Sequence, residues 1–182
     1  MLPQSLWNPI GTTLLRLTFH NWYGLRLAIL RAWGATLADT TRIRASATIT
    51  RPWNLTMGEE SSVGNKAVID AEAPITIGRF VTISQHATLF AAALGPGASA
   101  YAKHPGPAPI TIADDAWIST DAFVGPGVNV GEGALLGSKS AAFTDLDPWM
   151  IYGGEPARPL KARPPVIERL PGSAVPSDPP SH

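Results

Sequence analysis

The stretch ITIADDAWISTDAFVGPGVNVGEGALLGSKSAA, residues 110–142, repeats apolar or small side chains at a spacing of six. The main set consists of Ile112, Ile118, Val124, Val130, Leu136 and Ala142. A set of smaller residues follows four positions later: Ala116, Ala122, Val128, Ala134 and Ser140. Helices repeat every ~3.6 residues and strands every two, so neither accounts for this spacing. The repeat predicts very short strands joined by tight corners, which close triangular turns of a parallel β-solenoid.

Each position of the repeat has a predicted place in the solenoid. The main set points inward, and the second set must be small because the chain turns there. We expect the recurring glycines to supply the permissive backbone of the corners: Gly125, Gly127, Gly131, Gly133 and Gly137. The alternative is an all-β domain with coincidental spacing, which six positions in phase disfavour.

The composition limits the function classes. The chain has 182 residues, a formal net charge of zero and no cysteine, which fits one domain with appendages. Without cysteine there is no disulfide framework, thiolate zinc site or cysteine nucleophile. A zero net charge gives no indication of a nucleic-acid partner. The first residues lack a signal-peptide pattern, so we expect a cytoplasmic protein.

The segment that precedes the repeats, residues 1–40, carries an amphipathic helical pattern over 5–34, with Pro9 near a start and Gly34 as a stop. Polar residues interrupt the pattern before it reaches the roughly 20 apolar residues of a membrane span. Two interpretations stay open. The segment docks on the solenoid end or on a neighbouring subunit, or it makes a peripheral contact with a membrane surface.

The repeat region is predicted to span 41–163. Its signal begins at Ile43 and Ile49, shifts by two to resume at Met57, and restarts at Ile77. A segment rich in Gly, Ala and Pro, residues 90–109, breaks the repeat and is expected to loop out of the solenoid. The Pro- and Ser-rich tail, 164–182, is expected to be mobile.

Five motifs now indicate a family: RPWNLTMGEESSVG (51–64), APITIGRFVTISQHATL (73–89), PITIADDAWI (109–118), VGPGVNVGEGALLGS (124–138) and YGGEPARPLKAR (152–163). With them the chain resembles the hexapeptide-repeat acetyltransferases, in the branch that acetylates sugars in cell-surface polysaccharide synthesis, such as the colanic acid acetyltransferases. The resemblance implies a left-handed parallel β-helix that forms a homotrimer. It also implies acetyl-CoA as acyl donor, bound in grooves between subunits, and a sugar or glycan acceptor.

In that family a histidine acts as general base toward a sugar hydroxyl. It lies on the loop that interrupts the repeat, which corresponds to residues 90–109 here. The equivalent position here is Leu94, which cannot accept a proton. His86 and His104 are the candidate replacements, and each has an incidental surface histidine as its alternative. A further interpretation is a metal-dependent hexapeptide protein of the carbonic anhydrase type, but it would require three well-placed histidines. That pattern is absent, so we expect no metal site.

The family's cofactor site maps onto eight residues. The resemblance implies that Trp117 lines the groove, that Ser119, Gly137 and Ser138 offer backbone groups, and that four cations contact the CoA phosphates: Lys139, Arg158, Lys161 and Arg163. Glu155 replaces the family's usual asparagine and brings a carboxylate toward the anionic donor. Two functions follow: an O-acetyltransferase, or a non-catalytic homologue that assembles with an active one.

Overall fold

The computed structural model describes residues 4–19, 21–93 and 106–164. Strands are numbered in chain order. Sheet A contains the parallel strands β1 (Thr36–Leu37), β4 (Leu55–Met57), β7 (Ile75–Ile77), β10 (Ile110–Ile112) and β13 (Asn129–Val130). Sheet B contains β2 (Arg42–Ile43), β5 (Ser62–Val63), β8 (Thr82–Ile83), β11 (Trp117–Ile118), β14 (Leu135–Leu136) and β16 (Met150–Gly153) in parallel, and then β17 (Arg158–Ala162), which is antiparallel to β16. Sheet C contains β3 (Thr48–Ile49), β6 (Val68–Asp70), β9 (Thr88–Phe90), β12 (Phe123–Val124) and β15 (Ala141–Ala142).

The chain visits sheets A, B and C in turn, so the predicted parallel β-solenoid is confirmed. Residues of the main set stack in register from coil to coil. In sheet A, for example, Met57 pairs with Ile77, and Ile77 with Ile112. The smaller set is buried as predicted, with Ala116, Ala122, Val128 and Ala134 each at most 1% exposed. The first strand begins at Thr36, ahead of the predicted boundary at 41.

The prediction for the corner glycines is only partly right. Gly127 and Gly133 have positive φ angles, but Gly125, Gly131 and Gly137 do not. These three lie where the next coil approaches closely: a Cβ on Gly131 would lie 2.6 Å from the Pro148 nitrogen. Non-glycine residues hold most of the left-handed corner positions: Glu60, Lys66, Phe80, His86, Asp115, Asp121, Lys139 and Trp149.

The N-terminal segment is helical and caps the first coil. It consists of a 3₁₀ turn (Gln4–Leu6), a π-helical turn (Trp7–Gly11), α1 (Thr12–Arg16) and α2 (Tyr23–Ala32), and a further 3₁₀ turn spans Pro52–Asn54. Pro9 lies inside the π-helical turn, shortly before α1 begins at Thr12, and Gly34 follows α2 with a φ of 97°. Trp7 is buried, and its Nε1 donates a hydrogen bond to the Ile49 carbonyl (2.8 Å). One face of the segment therefore docks on the solenoid.

Arg26 fastens this cap. Its side chain is fully buried. Nε donates to the Ile43 carbonyl (2.6 Å), and Nη1 donates to Thr18 Oγ1 (2.8 Å) and to the Phe19 carbonyl (2.7 Å). The guanidinium carbon lies 4.7 Å from the centre of the Tyr23 ring. Burial lowers the pKa of Arg26, and the hydrogen bonds offset the cost of removing the cation from water. Arg26 therefore links α2 to the turn that follows α1 and to the first coil.

Replacing Arg26 with alanine removes the guanidinium donor from the buried Ile43 carbonyl and from Thr18 Oγ1, and opens a cavity. We expect Arg26→Ala to lower the free energy of unfolding by about 3 kcal/mol, measured by urea denaturation at a fixed protein concentration. Arg16→Ala is the matched control, because Arg16 is exposed on the same cap, and its effect should stay within about 0.5 kcal/mol. Equal losses in the two variants would contradict the role given to Arg26.

Candidate functional site

One corner of the solenoid gathers five of the ten predicted site residues: His86, Ser119, Gly137, Ser138 and Lys139. We call it the B–C corner; it comprises the links from sheet B to sheet C, residues 44–47, 64–67, 84–87, 119–122 and 137–140. Backbone hydrogen bonds join its coils, from His86 N to the Asn65 carbonyl (2.9 Å) and from Lys139 N to the Thr120 carbonyl (3.0 Å). The third residue of each link has a left-handed backbone in Lys66, His86, Asp121 and Lys139. Their side chains therefore follow one another along the surface at the spacing of neighbouring strands.

His86 is exposed on this corner. It borders a cleft of about 350 Å³ whose other polar and charged side chains come from the first three coils: Arg44, Ser46, Asn65, Lys66 and Gln85. We call this the lower cleft. It holds two permanent cations and a histidine but no carboxylate, so its chemistry suits an anionic group.

A second cleft, of about 360 Å³, lies on the same corner in the last coils, and we call it the upper cleft. Its lining includes Asp121, Phe123, Lys139, Ala141, Phe143 and Glu155. The ring centres of Phe123 and Phe143 lie 5.6 Å apart, and the two rings form an apolar wall. Sequence reasoning did not assign Phe123 or Phe143 to the site, although each lies next to an inward residue of the repeat and so faces outward.

The predicted backbone contributors help to form the corner itself. The Ser119 amide donates to the Leu136 carbonyl (2.9 Å), and the Gly137 amide donates to the Tyr152 carbonyl (2.8 Å). The Ser138 carbonyl accepts a long hydrogen bond from Ser140 Oγ (3.5 Å). The amides of Ser119 and Gly137 are therefore already used in the coil-to-coil ladder.

Trp117 lies on sheet B, next to the corner. Its side chain is 37% exposed, and Nε1 donates to Ser84 Oγ (2.9 Å). This bond fixes the indole against the preceding coil. Trp117 borders neither the lower nor the upper cleft of the single chain, so a role in a groove requires a second surface facing sheet B.

The predicted phosphate-binding cations lie in two environments. Lys139 borders the upper cleft, and Arg158 and Lys161 are exposed on β17. Arg163 is half-buried against the links from sheet A to sheet B. Its Nη1 donates to the Asp115 carbonyl (3.0 Å) and the Gly133 carbonyl (2.9 Å). Burial lowers the pKa of Arg163. Its guanidinium thus fastens the segment directly after β17 to the corner between sheets A and B.

Three sequence predictions concern residues outside the described ranges. They are the replacement of the usual histidine by Leu94, the candidate base His104, and the mobile tail beyond residue 164. The described part of the segment between β9 and β10 places its two ends at the corner between sheets C and A.

Comparison with known proteins identifies relatives over most of the chain. No protein-family profile matches. The putative colanic acid biosynthesis acetyltransferase WcaF of Escherichia coli is 32% identical over 159 residues, which are 87% of this chain and 86% of WcaF. A chloramphenicol acetyltransferase of Klebsiella aerogenes is 44% identical over 52 residues, and this match spans only a quarter of that relative's length (25%).

The solved structures agree on the fold. A hexapeptide-repeat acetyltransferase from Vibrio cholerae superimposes with a TM-score of 0.75 at 22% identity, covering 87% of this chain and 89% of its own. That protein has also been crystallised with acetyl coenzyme A; this complex superimposes with a TM-score of 0.59 at 23% identity, covering 84% of this chain and 85% of its own.

Arg163 and Arg158 allow structural and binding roles to be separated. Arg163→Gln removes two hydrogen bonds from part-buried carbonyls and should lower the free energy of unfolding by about 2 kcal/mol. Arg158→Gln, an exposed cation on the same final segment, should change it by less than about 0.5 kcal/mol. Urea denaturation of both variants tests this. A fully stable Arg163→Gln protein would contradict the structural role.

Proposed function

The chain belongs to the hexapeptide-repeat acetyltransferases, in the family of WcaF, and from this we propose that it transfers acetyl from acetyl-CoA to a hydroxyl of a sugar or polysaccharide precursor. The observation that carries the proposal is the upper cleft. It combines an aromatic wall with the cation of Lys139. A long donor with an apolar arm and terminal phosphates requires that combination.

In our proposal the donor lies in the upper cleft in one direction. Phe123 and Phe143 provide apolar surface for the arm, and Lys139, with Arg158 and Lys161 on β17, supplies positive charge for the phosphates. Asp121 and Glu155 oppose this arrangement, because their carboxylates share the cleft with Lys139. We therefore expect weaker donor binding than neutral residues would permit. The acetyl-CoA complex of the V. cholerae protein supports the choice of donor.

The reaction needs a base for the acceptor hydroxyl. In our proposal an imidazole takes the hydroxyl proton as the oxygen attacks the thioester carbonyl. The new C–O bond forms, the C–S bond breaks, and the CoA thiolate takes up a proton as it leaves. His86 and His104 are the two candidates. His86 is exposed on the same corner as Lys139, two coils away, and His104 belongs to the segment inserted between β9 and β10.

We further propose that the active form is a homotrimer. Trp117 is the supporting observation, because its indole is fixed on sheet B but borders no cleft of the single chain. A second subunit packed against sheet B would convert this face into one wall of a groove. Sedimentation velocity should then give the mass of three chains, and a monomer at micromolar concentration would contradict the proposal.

The second candidate function is a non-catalytic homologue that binds a donor or acceptor, or assembles with an active relative. Leu94 and Glu155 favour it, since both replace residues typical of the active branch. The two functions differ in their tests: both allow CoA binding, but only the enzyme transfers acetyl.

Isothermal titration calorimetry with CoA and acetyl-CoA tests the donor site without knowledge of the acceptor. We expect micromolar binding, and Lys139→Asn should weaken it about tenfold by removing one charge-assisted contact. Asparagine suits this variant because it tolerates the left-handed backbone at position 139. Arg79→Gln, on the opposite corner, should leave the affinity unchanged. Absence of binding up to millimolar CoA would overturn the donor site.

Acetyl transfer to a panel of mono- and oligosaccharides, followed by release of the CoA thiol, tests the base. We expect either His86→Asn or His104→Asn to lower the rate about 100- to 10,000-fold, with unchanged affinity for CoA. If neither variant slows transfer, the histidine mechanism is wrong. Wild-type protein that binds CoA but acetylates no acceptor would favour the non-catalytic function.

A further inference from the structure

The N-terminal cap carries two apolar stripes, and only one of them is used by the fold. Trp7, Gly11, Leu15 and Thr18 are buried against the solenoid. The neighbouring stripe, one residue earlier at each turn, consists of Leu6, Ile10, Leu14 and Leu17, all of them exposed. This spacing places the second stripe on one face of the helical segment, beside the docked face.

Two further elements extend the exposed stripe. Phe19 and Trp22 form an edge-to-face pair with ring centres 5.0 Å apart, and Phe19 is 66% exposed. Leu25 is exposed one turn into α2. Among the described residues, seven of the nine exposed large apolar side chains lie between Leu6 and Leu25. We call these seven side chains the apolar face of the cap; a contiguous exposed face of this kind marks an interaction surface.

The charges near this face indicate what kind of partner it binds. Residues 1–38 contain three arginines and no Asp or Glu. Arg16 is exposed, whereas Arg26 is buried and Arg31 pairs with Asp39 (2.6 Å). Tyr23, next to Trp22, lies under the guanidinium of Arg44, whose carbon is 5.9 Å from the ring centre. Arg44 also borders the lower cleft, with Lys66 and His86. The apolar face is thus continuous with a cationic cleft that holds no carboxylate.

We infer that this end of the molecule docks on the surface of an anionic lipid bilayer. The stripe from Leu6 to Leu17 enters the boundary between headgroups and acyl chains, in the way of interfacial amphipathic helices. Phe19 and Trp22 lie at headgroup level, where aromatic side chains are enriched. Arg16, Arg44 and Lys66 contact lipid phosphates; cations near an anionic surface strengthen binding by about fivefold each. No described helix is long and apolar enough to span the bilayer, so the contact is peripheral.

This inference does not depend on donor binding, although the lower cleft includes His86, one of the two candidate bases. The apolar face and the lower cleft belong to the cap and the first three coils, whereas the proposed donor site belongs to the last two coils. Vesicle binding and CoA binding can therefore succeed or fail independently.

Flotation of the full-length protein with vesicles tests the inference. We expect binding to vesicles of 30% phosphatidylglycerol in phosphatidylcholine at least tenfold stronger than to pure phosphatidylcholine, and weakened by salt. The double variant Ile10→Ser/Leu14→Ser should bind at least tenfold more weakly. Leu160→Ser is the matched control, because Leu160 is 66% exposed at the other end of the solenoid, and it should bind like the wild type.

The cationic contribution is tested separately. Arg44→Gln/Lys66→Gln should lower binding to the anionic vesicles about 25-fold and leave weak binding to neutral vesicles unchanged. Arg79→Gln, an exposed cation on another corner, should have little effect.

Three results would overturn the inference. The first is that the protein does not float with anionic vesicles at millimolar lipid. The second is that Ile10→Ser/Leu14→Ser and Leu160→Ser lose vesicle binding to the same extent. The third is that Ile10→Ser/Leu14→Ser sediments with a smaller mass than the wild type. The last would identify the apolar face as a contact between copies of this chain. Circular dichroism and urea denaturation of each variant verify that the cap remains folded.

Discussion

The interior of the solenoid depends on one constraint: each coil must return the inward side chains to a position above those of the coil before. Paired sheet-A residues are 20 positions apart from Leu37 to Met57 and from Met57 to Ile77, but 35 apart from Ile77 to Ile112. The extra residues enter between sheets C and A. The other two corners are closed four-residue links whose backbones bond to one another, as Phe80 N does to the Glu59 carbonyl (2.8 Å) and His86 N to the Asn65 carbonyl (2.9 Å). An insertion there would break the ladder in two coils.

This constraint explains how much of the fold could be predicted from sequence. A repeat records the inward phase directly, so the β-solenoid and the burial of Ile112, Ile118 and Val124 follow from spacing alone. The docking of the cap does not repeat. Arg26 resembles any other helical arginine in the sequence, yet it is fully buried because Ile43, Thr18 and Phe19 present acceptors to it. Those acceptors are brought together only by the tertiary structure.

The candidate site likewise could be predicted from the sequence only in part. The B–C corner brings together His86, Ser119, Gly137, Ser138 and Lys139, as expected for residues in equivalent links of a repeat. Sequence could not distinguish a free cation from a structural one, however. Lys139 borders a cleft, whereas Arg163 donates to two backbone carbonyls. Nor could it show that the Ser119 and Gly137 amides are used within the ladder. Residue type indicates chemical capacity, but the packing decides whether that capacity is available.

A β-solenoid is also rigid along its axis, so it holds the lower and upper clefts at a fixed separation. Neighbouring coils are separated by about 4.8 Å, so Arg44 in the first coil and Lys139 in the fifth are about 19 Å apart along the axis. His86, in the third coil, lies about halfway. With the cap on a bilayer, the donor site would be held well above the headgroups while the lower cleft faced them. Because the interior is filled by stacked apolar side chains, this separation cannot change without breaking the ladder. If both proposals hold, the number of coils between the cap and the proposed donor site would set how far from the membrane an acceptor hydroxyl must lie to be acetylated.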